Sequence, residues 1–224
     1  MTSTLRAEAV AATRIVGIVA LLCAAAAPSL VASAAVVQAD PAATVPNARH
    51  ELGMYGDPTA AAPYWRQQHS SDCWEMAVAD VVGQITGHEP TEQQITDLAK
   101  STPSTAGAGS IWNPPADTDI RDLPVLLAHY GIEADNIQTS IDALEQNLAE
   151  KRRVIVILNA ETLWNRPGKR NAANHFVVVT GMEPRAGVVH LNDSGVTNGR
   201  DEQVPIATFE QAWAPNRNSA IVTK

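Results

Sequence analysis

Cysteine is nearly absent from this chain. Its 224 residues hold two, Cys23 and Cys73, too few for the disulfide framework of a small secreted scaffold. Long basic runs are missing as well: the longest is Lys151-Arg152-Arg153, and 16 Lys and Arg stand against 24 Asp and Glu, a formal charge of -8. That balance excludes binding driven by phosphate neutralisation, so nucleic acid is set aside as a partner. The best apolar run, Ile15 to Ala27, is too short and too rich in alanine to span a bilayer. No internal repeat or low-complexity segment follows residue 63.

What is there begins with an export signal. Arg6 and Arg14 precede the apolar run, and Ala32-Ser33-Ala34 supplies the small-x-small pattern of secretory cleavage. Residues 1–34 read as a signal peptide, and the protein as secreted or held in the cell envelope, with no membrane span after cleavage. A cut after Ala39 and an uncleaved anchor are the alternatives. Leu22 stands where a lipobox needs a small residue, so Cys23 leaves with the signal. Residues 35–63, rich in Ala, Pro and Gly, read as a flexible lead-in, and residues 64–224 as one domain with a core of its own. The mature chain then carries Cys73 alone into an oxidising compartment, where an unpaired thiol is either deeply buried or used.

Cys73 opens the most informative stretch. Trp74, Val78, Val81, Val82 and Ile85 recur at helical spacing, Ser70, Ser71 and Asp72 are candidate N-caps, and Gly87 is the natural stop. A thiol on the first turn faces unpaired backbone N–H groups and the positive end of the helix dipole, which favours the thiolate. Glu75, two positions on, works against that by placing a carboxylate nearby.

Further along, Thr91 and Gln94 have capping-box spacing before a short helix. A helix from Asp117 or Thr118 to Tyr130 and another from Ser140 follow. Val154 to Leu158 is a continuous β-branched run of the kind found in buried strands. His175 to Met182, Val188 to Asp193 and Ala220 to Thr223 read as further strands, with a short helix over Thr208 to Trp213. Helices first and antiparallel strands last make an α+β fold in two packed layers. The loops around Trp112 and Trp164 are candidate walls of a cleft, with Trp74 beside the thiol; Trp112 reads equally as a plug over the core.

A thiol needs a base, and His175 opens an apolar strand where an imidazole is half exposed. If the hairpin Glu183 to Gly187 turns near Pro184, His175 faces Asp193 on the next strand. Asn192 is the second choice, and a one-residue slip would select it. His190 reads as an ordinary sheet residue, and His69 has no obvious carboxylate partner. Gln67, six residues before Cys73, is the candidate oxyanion donor with the Cys73 N–H, and Gln68 is its alternative.

The order of Gln67, Asp72-Cys73-Trp74, His175 and Asp193 resembles the papain-like cysteine peptidases, over about Tyr64 to Lys224. It is closer to cysteine peptidase family 39, the bacteriocin-leader-processing branch, which shows Gln, then Asp-Cys, then a His strand with an Asp just beyond. The resemblance implies a papain-like fold, with N-terminal helices packed on a C-terminal antiparallel sheet. It implies a hydrolase that cleaves peptide or protein substrates through a thioester on Cys73, with Cys73, His175 and Asp193 as catalytic triad and no cofactor or metal. Leader peptidases of that branch sit on transporters, whereas this chain carries a signal and no transporter, so the substrate does not transfer. An NlpC or CHAP-type hydrolase acting on cell-wall peptide is the second reading, and a catalytically silent papain-like binding protein the third.

Overall fold

The structure is a computed structural model that describes residues 53–114 and 118–224. The signal at 1–34 and the lead-in up to residue 52 lie outside the described residues. In chain order the elements are β1 (Tyr55–Gly56), α1 (Pro58–Ala61), α2 (Cys73–Thr86), α3 (Glu92–Ser101), α4 (Leu123–His129), β2 (Ala134–Gln138) and α5 (Ile141–Ala149). Then follow β3 (Val154–Leu158), α6 (Ala160–Leu163), β4 (His175–Glu183), β5 (Val188–Asn192), β6 (Glu202–Pro205), α7 (Ile206–Trp213) and β7 (Ser219–Thr223).

The strands form one antiparallel sheet in the order β2-β7-β3-β4-β5-β6, with β1 paired to β4. β3 and β4 lie at its centre, and the unbroken apolar sequence of β3 is explained by burial on both faces. On one face Ile155, Phe176 and Val178 pack against Trp74, Val78 and Val82 of α2, Ile95 of α3 and Leu127 of α4. On the other, Val156, Val177 and Val179 meet Leu144 and Leu148 of α5 and Phe209 and Trp213 of α7. Each such fully buried side chain contributes roughly 2 kcal/mol. The α+β expectation holds, but two layers are not enough to describe it: helices cover both faces of the sheet.

Local chemistry explains where α2 starts and stops. Gly87 ends it in the left-handed conformation at φ 76, with its N–H on the Gly83 carbonyl. Gly83 lets another segment come close, since a Cβ there would stand 2.5 Å from Cδ1 of Tyr64. Ile85, counted with the core face, is 45% exposed, because at that end of the helix the packing surface is Gly83, covered by Tyr64 and Glu89. Thr91 and Gln94 form the reciprocal capping box at the start of α3.

Three boundaries differ from the sequence reading. The lead-in does not run to residue 63: Tyr55 pairs with Met182, and Asp57 caps α1 through the Ala60 N–H. The helix expected from residue 117 or 118 begins with a 3-10 turn, Ile120–Asp122, capped by Asp119, and becomes α-helical at Leu123. The hairpin after β4 turns between Arg185 and Ala186, since Glu183 pairs with Val188, and a bulge interrupts β4 between Val179 and Gly181. Among the described residues no helix is long and apolar enough to cross a membrane.

Candidate active site

Cys73 is the first residue of α2, and His175 is the first residue of β4. α2 packs across the sheet on β4, with Trp74 and Phe176 in ring contact at 5.6 Å, so the residue before each aromatic is carried to the same place. Cys73 is buried at 4% exposure, and its thiol lies near enough to the His175 imidazole to act on it electrostatically. The other side of that ring is committed: Nε2 of His175 lies 2.7 Å from Oδ1 of Asp193, and both side chains are buried. With Nε2 so engaged, Nδ1 is the nitrogen left for the thiol.

Asp193 sits just beyond the end of β5, and its surroundings fix it closely. Its Oδ1 also accepts the Gly195 N–H at 2.7 Å, and its Oδ2 accepts Nε1–H of Trp164 at 3.0 Å. Its backbone N donates to the Gly199 carbonyl, and its carbonyl accepts Nε1–H of Trp65 at 2.6 Å. Gly195 must be glycine, because a Cβ there would stand 2.8 Å from Cε1 of His175 and 3.0 Å from the Trp164 ring.

The electrostatics follow from this enclosure. Burial alone would push the His175 imidazole down. The Asp193 carboxylate and then Cys73 outweigh that, and the imidazole rises from its ordinary 6.5 to about 10. The ring is therefore an imidazolium at neutral pH. Burial raises the Asp72 carboxyl, beside Cys73, to about 6, and Glu75 to about 7. Thr118 donates to Oε1 of Glu75 at 2.8 Å. Glu75 is thus largely a neutral acid at mildly acidic pH, so the charge that its position sets against the thiolate is muted there.

Each sequence candidate has a definite place. Cys73, His175 and Asp193 come together, although by a different register from the one expected: Val178 pairs with Asn192, so His175 is not directly opposite Asp193. The second choice, Asn192, points away, donating to Asp80 at 2.8 Å and to the Ala61 carbonyl. Trp164 covers the dyad, its ring 4.9 Å from that of His175 and under the Arg166 guanidinium. It is held there by Asn159, a buried N-cap whose Oδ1 accepts the Thr162 N–H and whose Nδ2 donates to the Lys169 and Ala172 carbonyls.

Trp74 and Trp112 are both buried in the core cluster, and Lys100 lies over the ring of Trp112. The loop before it is drawn inward by Asp122, which accepts from Ser104 and Thr105. Gln67 is exposed on the segment leading to α2. Gln68 is tethered: its backbone N donates to the Ser194 carbonyl at 3.0 Å, its Oε1 accepts from Ser194 Oγ at 2.8 Å, and its Nε2 donates to the Ser70 carbonyl. His69 does have a carboxylate partner, Glu92 at 2.6 Å, and His190 is more than a plain sheet residue, lying between Glu183 and Asp201.

The sequence reading missed Trp65 and Gly195. Nothing in the pattern around Trp65 marks it as a partner of a backbone carbonyl 128 residues away. Asp193-Ser194-Gly195 offered a faint signal, a small residue beside an acid at a strand end. Among the described residues no group of three His, Cys, Asp or Glu is arranged to hold a metal ion.

A central sheet carrying a histidine at a strand start, faced by a cysteine at a helix start, is the arrangement of a cysteine peptidase fold. The model of the Peptidase_C39 like family matches residues 59–221, and the chain belongs to that family. Uncharacterized proteins of Mycobacterium bovis and Mycobacterium tuberculosis are 46% identical to it, over 76% of this chain and 84% of theirs. Among solved structures, a C39-like peptidase candidate from Bacillus anthracis is similar, with a TM-score of 0.57 at 19% identity, over 76% of this chain and 97% of that one. So is the peptidase domain of Streptococcus ComA, a bi-functional ABC transporter involved in a quorum-sensing pathway, with a TM-score of 0.51 at 16% identity over 71% and 96%. At those identities the likeness is one of fold.

Proposed function

We propose that this protein is an exported cysteine peptidase that hydrolyses peptide amide bonds through a thioester on Cys73. The observation that carries the reading is the buried 2.7 Å contact of His175 Nε2 with Asp193 Oδ1, which leaves Nδ1 of the ring for Cys73 at the start of α2. Family membership supports a peptide or protein as the substrate.

The steps follow from the geometry. The Cys73 proton resides on His175, giving a thiolate beside an imidazolium that Asp193 stabilises and aims. The thiolate attacks the carbonyl carbon of the scissile amide, and the C–O π electrons move onto oxygen. That oxyanion is held by the Cys73 N–H, which has no acceptor inside its own helix, and by the Gln67 amide. His175 gives its proton to the leaving nitrogen as the C–N bond breaks. Neutral His175 then takes a proton from water as its oxygen attacks the thioester carbon; the C–S bond breaks, the acid leaves, and Cys73 is released as a thiolate beside a His175 that carries the proton from water. Trp164 keeps bulk water off the His175–Asp193 bond, which strengthens it in the lower local dielectric.

In this reading the segment 1–34 delivers the enzyme across the membrane and is then removed. The N-terminal sequence of the protein recovered from culture medium or envelope tests export: a start at Ala35 supports it, and an intact Met1 on cytoplasmic protein contradicts it. Activity is tested by incubating the mature protein and Cys73→Ala with a mixed peptide library and reading cleavage by mass spectrometry. New termini that appear only with the unsubstituted protein support the reading. Identical, unchanged libraries contradict it.

A further inference from the structure

The basic run Lys151-Arg152-Arg153 has no part in the site described above. It leads from the end of α5 into β3, and with Leu148, Val179 and Thr180 it lines a cavity of about 500 Å³. That volume falls in the range of small-molecule sites, roughly 300–1,000 Å³. The cavity lies well away from the dyad. Gln84, also in its wall, stands about 16 Å along α2 from Cys73, and Thr180 about 16 Å along β4 from His175.

The walls hold donors that the described residues leave unused. Arg153 is anchored through Nη1, which donates to the Lys151 carbonyl at 2.6 Å, while its Nε is buried without a hydrogen-bond partner. Thr180 is 4% exposed, and its hydroxyl too has no partner. A buried donor left unanswered is destabilising, so a group that answers it is favoured. Beside these donors the wall is apolar, from Met54, Leu148 and Val179.

We propose that this cavity is a second binding site, for an aliphatic carboxylate: the carboxylate is held by Arg153, Lys151 and the Thr180 hydroxyl, and the hydrocarbon packs on Met54, Leu148 and Val179. A guanidinium and an ammonium only donate, so an anionic acceptor suits them best. The neighbouring acids leave that charge largely unmet. Asp57, in the cavity wall, caps α1 through the Ala60 N–H. The buried Asp80 also acts on Arg153, but it already accepts from Gln84 and Asn192, and burial raises its carboxyl to about 7. Glu150 engages Arg152 at 3.2 Å, which leaves Lys151 and Arg153 for the ligand. The site stands independently of the peptidase reading.

The experiment is a calorimetric titration of the mature chain with octanoate, with its neutral analogue octanamide, and with N-acetyl-leucyl-leucine, which presents the same carboxylate at a peptide end. Backbone amide NMR shifts locate the binding. Octanoate is expected to bind one per chain and to shift the amides of Leu148, Lys151 and Thr180. Octanamide should bind at least about tenfold more weakly, as should octanoate to Arg153→Gln, each having lost a charged hydrogen bond. Thr180→Val should cost about fivefold, one ordinary hydrogen bond. Lys151 is exposed, so Lys151→Gln tests the charge even if Arg153→Gln fails to fold, with an expected loss of about threefold. Binding of octanoate alone points to a fatty acid, and binding of the dipeptide to a peptide end. The proposal is overturned if neither carboxylate binds at about 10 mM, well above useful affinity, or if octanamide binds as tightly as octanoate. Undiminished binding in Lys151→Gln and Thr180→Val, or shifts confined to Cys73 and His175, overturns it equally.

Discussion

His175 and Asp193 meet at 2.7 Å without facing each other across the sheet. The register of β4 and β5 continues to a pairing of His175 with Gly195, two positions past Asp193. Gly195 does lie against the imidazole, and Asp193 reaches the ring from the diagonal. The close approach depends on the missing side chain, so Gly195→Ala is expected to displace His175 or Trp164. Peptide cleavage then falls by at least about a hundredfold, the scale of a misplacement of about 1 Å at a catalytic group, while thermal stability changes little. Cleavage at wild-type rate by the alanine variant contradicts this packing.

The same diagonal explains why the meeting of His175 and Asp193 was legible although its register was not. A shift of two positions returns a strand residue to the same face, whereas a shift of one exchanges faces. Parity therefore selected Asp193 over Asn192 despite a misplaced turn centre and an unforeseen bulge. The helix of Cys73 and the strands β3 and β4 were legible because their apolar patterns and stop residues are local. The burial of Trp74 and Trp112 was not legible, because an indole beside a candidate nucleophile or a proline looks the same in the sequence whether it lines a cleft or fills a core.

Trp164 covers the dyad and donates to Asp193, and these roles separate by substitution. Trp164→Phe keeps a ring over His175 and loses the donor to Oδ2. It should cost about 1 to 2 kcal/mol of transition-state stabilisation, roughly a tenfold loss in kcat/KM. Trp164→Ala also admits water and should lose more. Equal rates for both variants would show that the hydrogen bond contributes nothing and that only the cover matters.

The two glutamines before α2 predict different phenotypes. Removing an oxyanion donor lowers kcat by about a hundredfold with KM unchanged and leaves the fold alone. Gln67→Ala is expected to do this. Gln68→Ala removes the tie to Ser194 and Ser70 and should lower the melting temperature of the protein as well as its rate. If instead Gln68→Ala alone reduces kcat, with no change in melting temperature, the donor is Gln68.

Stability should fall as pH rises from acid toward neutral. Glu75 and Asp80 have ordinary values of 4.5 and 3.8, and burial raises both to about 7 in the folded protein. Between those limits the folded chain holds protons that the unfolded chain has released, so stability declines across that window, and the contribution of these two carboxyls levels off above about pH 7. His175, raised to about 10, contributes in the same direction at higher pH. Glu75→Gln preserves an acceptor for Thr118 and cannot ionise. Its melting temperature should exceed that of wild type at about pH 8 and match it more closely at about pH 5. A wild type whose melting temperature climbs steadily from pH 5 to pH 8 would show that these carboxyls titrate near their ordinary values.

The central claim is that Cys73 and His175 form an ion pair, and the most direct measurement is the rate of Cys73 alkylation by iodoacetamide across pH 4 to 10. It is made on the mature protein and on His175→Ala. The ion pair requires a thiol already reactive well below pH 7, with that reactivity lost in the variant. A rate that rises only near pH 8.5 in both proteins, the behaviour of an ordinary thiol, contradicts it.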